Sequence, residues 1–348
     1  MASIPESVKD SAIIPSLFEL LTHQGKVRET YTLSKPGDSK PLLLVVASDR
    51  LSIFDFVLPV EVPDKGEILT ALTHFWMTTV LKDFPNHLEP SKIHPNTHNF
   101  AYDLSEKLPE IPLKRALVVK KVTIPPFEMI FRHHLGGSVF KNYQKTGIVA
   151  GVKLEPNLQK WSFMPKPLFT PSTKASVGHD VNITVRSFFD QTGEAGHRTE
   201  KMFSKAYEEA YQYALIKAGI RILDTKIEGE GIIADEILTP DSSRFTTDED
   251  WKLAMEEGRD PIFYDKEVAR VWGRQIVTPF IDKNGSPIIG INNLDPEVNE
   301  HIDFVHNLKV PEEVIDTVQT RLHEIFEKLT NQSLKNYQNQ FLLRAQSK

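Results

Sequence analysis

Apolar and polar positions along the chain follow two rhythms. In Gly66–Asp83, the residues Ile68, Leu69, Leu72, Phe75, Trp76 and Val80 fall on one stripe of a helix. Thr199–Ala218 repeats that spacing more cleanly. Met202, Phe203, Ala206, Tyr207, Ala210, Tyr211, Ala214 and Leu215 share a face there, and Gly219 supplies a stop. A third stripe, Val314, Ile315, Val318, Leu322, Ile325 and Phe326, predicts a helix over Pro311–Leu329. Ile13–Leu21 reads as a short helix, and the polar tail from Thr330 as frayed or lightly docked.

Strand patterns fill the intervals. Gly25–Leu33 and Pro41–Ala47 read as strands joined by a turn at Ser34–Ser39. Leu42 to Val46 is apolar at every position, which predicts burial on both faces. Ala116–Lys120 is a strand, Ile124-Pro-Pro126 interrupts, and Phe127–Arg132 resumes. A strand, a proline break and a second strand point to a crossover between two lobes. Ile222-Leu223 and Ile232-Ile233 predict a hairpin about Gly229-Glu230-Gly231, which would set Glu228 and Asp235 on paired strands.

Composition narrows the class. The chain has 348 residues, enough for two domains or one large one, and 40% hydrophobic content supports a sizeable core. A net charge of −6 argues against a general nucleic-acid or membrane-surface binder. No apolar run approaches the roughly 20 residues that span a bilayer. Met1–Asp10 lacks a charged-then-apolar signal pattern, so a cytoplasmic location is expected. The absence of cysteine excludes disulfides, thiolate metal sites and a cysteine nucleophile.

Candidate chemistry is densest in Asp224–Arg244. Glu228 and Asp235 offer two hard carboxylate donors, the set Mg²⁺ takes when it also binds a nucleotide. Lys226 and Arg244 suit anionic substrate groups. The simpler reading is a solvated acidic hairpin. Gly25-Lys26-Val27-Arg28 could cover a triphosphate, glycine allowing close approach and the cations meeting its charge. There is no Gly-x-x-x-x-Gly-Lys-Ser/Thr and no Gly-x-Gly-x-x-Gly, which disfavours P-loop, Rossmann and protein-kinase sites. Arg132 presents a planar fork for carboxylate or phosphate, and Gly136-Gly137-Ser138 a nest of N–H groups. His133 and His134, adjacent on a strand, should point to opposite faces, which disfavours a shared metal.

Several of these segments, in order, resemble the SAICAR synthetase (phosphoribosylaminoimidazole-succinocarboxamide synthase) family. They are Gly25-Lys-Val-Arg-Glu-Thr-Tyr31, Ala47-Ser-Asp-Arg-Leu-Ser-Ile-Phe-Asp55, Lys65-Gly66, Phe169-Thr-Pro-Ser-Thr-Lys174 with His179-Asp180-Val-Asn182, and Asp224–Arg244. The resemblance runs from about Gly25 to Arg270. It implies an α+β fold with a β-rich N-terminal nucleotide-binding lobe, residues 1–121, and a larger α/β substrate-binding lobe, residues 122–348, with the active site between them. It implies ATP against Gly25, Lys26, Val27, Arg28, Lys120 and Glu128, and Mg²⁺ on Glu228 and Asp235. Carboxyaminoimidazole ribonucleotide (CAIR) would meet Arg132, Ser138, Asp224, Lys226, Ser243, Arg244 and Arg270, with Asp224 and Lys226 closest to the chemistry. Lys174, Asp180 and Asn182 would belong to a closing loop near L-aspartate. His133-His134 is a local variation on the family segment. The implied reaction is ATP-dependent amide formation between CAIR and L-aspartate through an acyl phosphate, by a monomer without nucleic-acid or membrane partners. A two-lobed kinase and a non-catalytic nucleotide binder are the alternatives. The first should carry His-Arg-Asp and Asp-Phe-Gly, which this sequence lacks; the second would be free to lose Glu228 and Asp235.

Overall fold

The computed structural model describes residues 3–34, 37–92, 100–105, 107–174 and 181–343. Its N-terminal part contains β1 (Leu21–Gln24), β2 (Arg28–Thr32), β3 (Leu42–Ala47), the hairpin β4 (Arg50–Ile53) and β5 (Phe56–Glu61), helix α1 (Lys65–Phe75) and β6 (Ala116–Lys120). An antiparallel sheet runs β1-β2-β3-β6. Alternation divides it. Leu44 and Val46 pack with Tyr31, Ala116, Val118, Ile14 and Leu17 in a small core under the N-terminal segment. Leu43 and Val45 stay half-buried on the other face and line a cleft. The run Leu42–Val46 is therefore not buried on both faces: its second face is the wall of a cavity, where apolar residues present a surface to a ligand instead of filling a core.

The rest of the chain builds a second sheet. It holds β7 (Phe127–His134), helix α2 (Gly137–Thr146), β8 (Phe163–Phe169), β9 (Ser172–Thr173), helix α3 (Val185–Ala218), β10 (Ile220–Ile227) and β11 (Ser243–Thr247). The strand order is β8-β7-β10-β11, with β9 also paired to β7. Together the two sheets and their helices make an α+β chain.

Helix α3 begins well before Thr199. The Thr184 hydroxyl caps it by accepting from the Ser187 N–H, and Gly193 breaks it at φ 58°, ψ −146°. Periodicity reveals chiefly the part after the break, where Phe203, Ala206, Tyr207 and Ala210 are buried in the main core.

Three further expectations change. First, Ile232-Ile233 is not a second hairpin strand. Both edges of β10 are already filled by β7 and β11. The turn therefore closes with a single bridge, the Ala234 N–H donating to the Glu228 carbonyl at 2.9 Å. Ile233 instead exchanges backbone bonds with Pro85 and His87. Gly229 sits at φ +123°, where a Cβ would meet the Ile232 carbonyl at 1.9 Å, so no other residue fits.

Second, the tail is docked. After α4 (Glu267–Arg274), α5 (Asn299–His306) and α6 (Glu312–Thr330), the chain forms α7 (Leu334–Phe341). Tyr337 of α7 is 1% exposed, its hydroxyl 2.8 Å from His74 Nδ1, and its ring packs on Phe326 and Phe341. Third, His133 and His134 do not face apart: both rings lie against Phe163 and Tyr211. The pairing of β7 with β8 shifts register between Phe163 and Leu168, and regular pleating is lost there. Their nitrogens meet the Met164 and Trp161 carbonyls and the Tyr211 hydroxyl.

Burial pushes the His87 imidazole down to about 4 and that of His134 down to about 3. Both rings stay neutral in the folded chain, while the unfolded chain binds protons from about pH 6.5 downward. Stability from these two groups is therefore complete above about pH 6.5 and is lost as the pH falls toward 4 and then 3. Urea unfolding at pH 7 and pH 4 should differ by about 3 kcal/mol on account of His87 alone. The same difference in His87→Gln and His134→Gln variants would remove both as its source.

Candidate active site

The cleft beside the first sheet encloses about 800 Å³. Gly25, Lys26, Val27, Arg28, Lys120 and Glu128 all line it. Lys26 pairs with Asp55 at the β4–β5 turn. Arg28, at the start of β2, reaches Asp235 at 2.9 Å and Glu236 at 3.2 Å. Burial opposes its charge, but those carboxylates outweigh burial and hold the guanidinium protonated.

Glu228 and Asp235 face the same cleft. Glu228 accepts from Lys226 at 2.6 Å through one oxygen and from Lys174 at 2.7 Å through the other. Lys226 also lies 3.3 Å from Glu128. Burial alone would raise both acids, yet Lys226 and Lys174 hold Glu228, and Arg28 and Lys226 hold Asp235, below the ordinary carboxylate range. Lys226 responds in kind: burial works against its charge, but Glu228, Glu128 and Asp235 lift it above the ordinary lysine value. The described residues contain no group of three or more potential metal ligands. Two ionised carboxylates facing a nucleotide-sized cleft nonetheless suit Mg²⁺, which takes one or two protein carboxylates and completes its shell with phosphate and water.

A second cavity of about 160 Å³ opens on the other side of Lys226. Its floor is a row across three strands. Arg132 on β7 stands opposite Asp224 on β10, and Asp224 opposite Arg244 on β11. Both guanidinium groups bond Asp224 Oδ2. Burial pulls the Arg132 guanidinium down from its usual value, whereas Asp224 raises that of Arg244. Ser243 shares a hydroxyl contact with Thr225 at 2.8 Å, and Arg270 on α4 bonds Asp265 at 3.1 Å and Glu267 at 3.3 Å. The loop between Thr239 and Arg244 is pinned by Asp241, which Lys65 meets at 2.7 Å and Lys266 at 3.4 Å. Glu128 and Lys226 line both cavities.

Not every candidate converges. Lys174 joins the cleft through Glu228. Ser138 is exposed on the first turn of α2 and lines neither cavity, though Gly137 beside it, at φ +63°, approaches Arg244. Asn182 is exposed and bridges Ser172, and Asp180 lies outside the described residues. Sequence reasoning gave no individual role to Arg50, His87, Lys65, Asp241 and Lys266. Arg50, Lys65 and Asp241 stood only within the quoted Ala47–Asp55, Lys65-Gly66 and Asp224–Arg244 segments, and His87 and Lys266 carry no local signal. It also missed Pro296, Glu297, Ile302 and His306, which line the cleft from the C-terminal segment.

Comparison with known proteins gives the family. A family model described as SAICAR synthetase matches residues 21–286. The phosphoribosylaminoimidazole-succinocarboxamide synthase of Methylobacillus flagellatus is 43% identical over 260 residues, 72% of this chain and 82% of that protein. That of Thermodesulfovibrio yellowstonii is 39% identical over 259 residues, with the same coverage. A solved SAICAR synthase from Saccharomyces cerevisiae, complexed with SAICAR, superposes with a TM-score of 0.70 at 31% identity, over 93% of this chain and 99% of that one. The chain belongs to the SAICAR synthetase family and is an enzyme of that family.

Proposed function

We propose that the protein joins L-aspartate to CAIR at the expense of ATP, yielding SAICAR, ADP and phosphate in purine biosynthesis. The observation that carries this reading is the shared wall: Glu128 and Lys226 border both the larger cleft and the smaller cavity. A nucleotide in the first and a phosphorylated carboxylate in the second would meet at Lys226. The names of the relatives supply the identity of the acceptor.

In this reading ATP lies along Gly25–Arg28 with its base toward Lys120 and its phosphates toward Glu228 and Asp235. Glu228 and Asp235 would hold Mg²⁺, which bound there neutralises phosphate charge. The CAIR phosphate lies on Arg244 and Ser243, beside the nest that Gly137 brings up to Arg244 and that Ser138 continues outside the cavity, with Arg132 and Arg270 completing the cationic lining. Asp224 holds two guanidinium groups in register, and Lys226 stands beside the reacting carboxylate. A CAIR carboxylate oxygen attacks the γ-phosphorus, the bond to the bridging oxygen breaks, and ADP leaves. The aspartate amine then attacks the acyl carbon and loses a proton, and phosphate departs with the acyl oxygen. Such a reaction needs alignment and fixed positive charge more than a protein nucleophile. Lys174 and Asn182 border the side from which aspartate enters. Residues 1–121 and 122–348 act as two lobes about the cleft, and the protein works as a cytoplasmic monomer. No helix among the described residues is long and apolar enough to cross a membrane.

ADP release with Mg-ATP, CAIR and L-aspartate, each omitted in turn, tests the reading. ADP should appear only when all are present. ADP without aspartate would leave the phosphoryl-transfer half standing with a different acceptor, and no ADP from folded protein would overturn the proposal. Glu228→Gln and Asp235→Asn should each lower kcat on the order of 10²–10³-fold while the fold persists; near-normal kcat would refute the metal assignment. Arg244→Ala removes a charge-assisted contact and should raise KM for CAIR about 10–100-fold with a smaller effect on kcat. An unchanged KM would take Arg244 out of the phosphate site.

A further inference from the structure

Arg50 is wholly buried, on the side of the Gly25–Arg28 loop away from the cleft. Its guanidinium bonds the Gly25 carbonyl at 3.0 Å, the Lys26 carbonyl at 2.9 Å and the Lys9 carbonyl at 3.1 Å. Glu29, equally buried, balances its charge at 2.6 Å. The next carbonyl of the loop, Val27, accepts from both the N–H and the hydroxyl of Ser48. Three successive carbonyls are thus turned inward by two residues of one segment.

In a trans peptide the N–H points opposite to the carbonyl of the preceding residue. With the Gly25 and Lys26 carbonyls drawn inward, the N–H groups of Lys26 and Val27 point outward, toward the cleft. Among the described residues, neither N–H has a hydrogen-bond partner. Two adjacent amides facing a cavity make an anion site of the nest kind. Resting on the proposed nucleotide site, we infer that Arg50, assisted by Ser48, is a positioning residue that fixes these peptide planes so that the Lys26 and Val27 amides receive phosphate oxygens of a nucleoside triphosphate. Arg50 never touches the nucleotide; it acts through the loop. A five-donor fork suits this task, because the Gly25, Lys26 and Lys9 carbonyls and the Glu29 carboxylate are four acceptors, one more than the three N–H groups of an ammonium can meet.

The test is steady-state kinetics of Arg50→Lys with each substrate varied in turn. KM for Mg-ATP should rise about 10-fold or more, as loss of charge-assisted bonds implies, with KM for CAIR and for aspartate unchanged. Because the lysine keeps the charge but not the fork's reach, and a misplaced buried pair with Glu29 can cost the fold, the double variant Glu29→Leu/Arg50→Met serves as the second arm. Exchanging a buried ion pair for apolar groups of similar volume commonly preserves folding. It should show the same selective rise, and a non-hydrolysable Mg-nucleotide, expected to slow amide exchange at Lys26 and Val27 in the unaltered chain, should not do so in the double variant. A native KM for Mg-ATP in either folded variant, or equal rises in all three KM values, would overturn the inference. Lys26→Ala separates the two readings. If it leaves KM for Mg-ATP unchanged, the nucleotide site itself is wrong; if it raises KM while the Arg50 variants do not, the positioning role alone falls.

Discussion

The ammonium of Lys226 is the charge on which both cavities depend. It stands between Glu228 and Glu128, on a strand whose two edges are occupied by β7 and β11. Its side chain is a quarter exposed, and the carboxylates around it compensate the cost of withdrawing the rest from water. Those carboxylates in turn stay ionised only because Lys226, Lys174 and Arg28 face them. The site is therefore a closed set of mutual ion pairs. An arriving phosphate competes for the lysines and arginine, and a cation competes for the carboxylates. In the proposed reading, binding the two together keeps the set balanced, which is the electrostatic reason the cleft would favour a metal–nucleotide over either alone.

The second cavity uses a different balance. Two guanidinium groups share one carboxylate at Asp224, so the row Arg132–Asp224–Arg244 keeps an excess positive charge. Because the row is a cross-strand register, its geometry is set by backbone pairing and not by flexible side chains. Asp241 belongs to the next loop, where Lys65 and Lys266 hold its acidity well above that of an ordinary aspartate against the effect of burial. That loop carries Ser243 and Arg244 into place.

What the sequence disclosed follows from how local each cause is. Helical stripes such as Phe203–Ala214 and the apolar run Leu42–Val46 were readable because one face meets a core. The run could not say that its other face lines a cavity, since apolar residues serve a ligand and a core alike. Glu228, Asp235, Asp224 and Lys226 were legible as a charged cluster of unusual length, and the structure brings them to the cavities around one strand. The hairpin drawn around Glu228 was wrong because strand pairing is a competition: β7 and β11 claimed both edges of β10 from distant positions in the chain. The partners of Arg50, Lys65 and Lys266 were illegible for a related reason. Each meets a partner set by tertiary contact, and a buried arginine looks like any other in sequence.

Helix α1 shows how these distant partners become one device. At its N-terminal end Lys65 grips Asp241, and the Gly66 N–H bonds the Asp49 carboxylate, one residue before Arg50. Toward its other end, the His74 ring meets Tyr337 in the tail. One rigid rod thus touches the loop bearing Arg244, the segment that orients the Gly25–Arg28 peptides, and the C-terminal helix. Gly66 is needed for this closeness: a Cβ there would lie 2.8 Å from the Ala47 carbonyl. The tail, together with the wall built from Pro296, Ile302 and His306, lies past the family-matched region yet bears directly on the cleft and its supports. Helix packing here fixes the distance between the two cavities. In the proposed reaction that distance decides whether a γ-phosphoryl group and a carboxylate can meet in line, because an effective molarity is lost over displacements on the order of 1 Å.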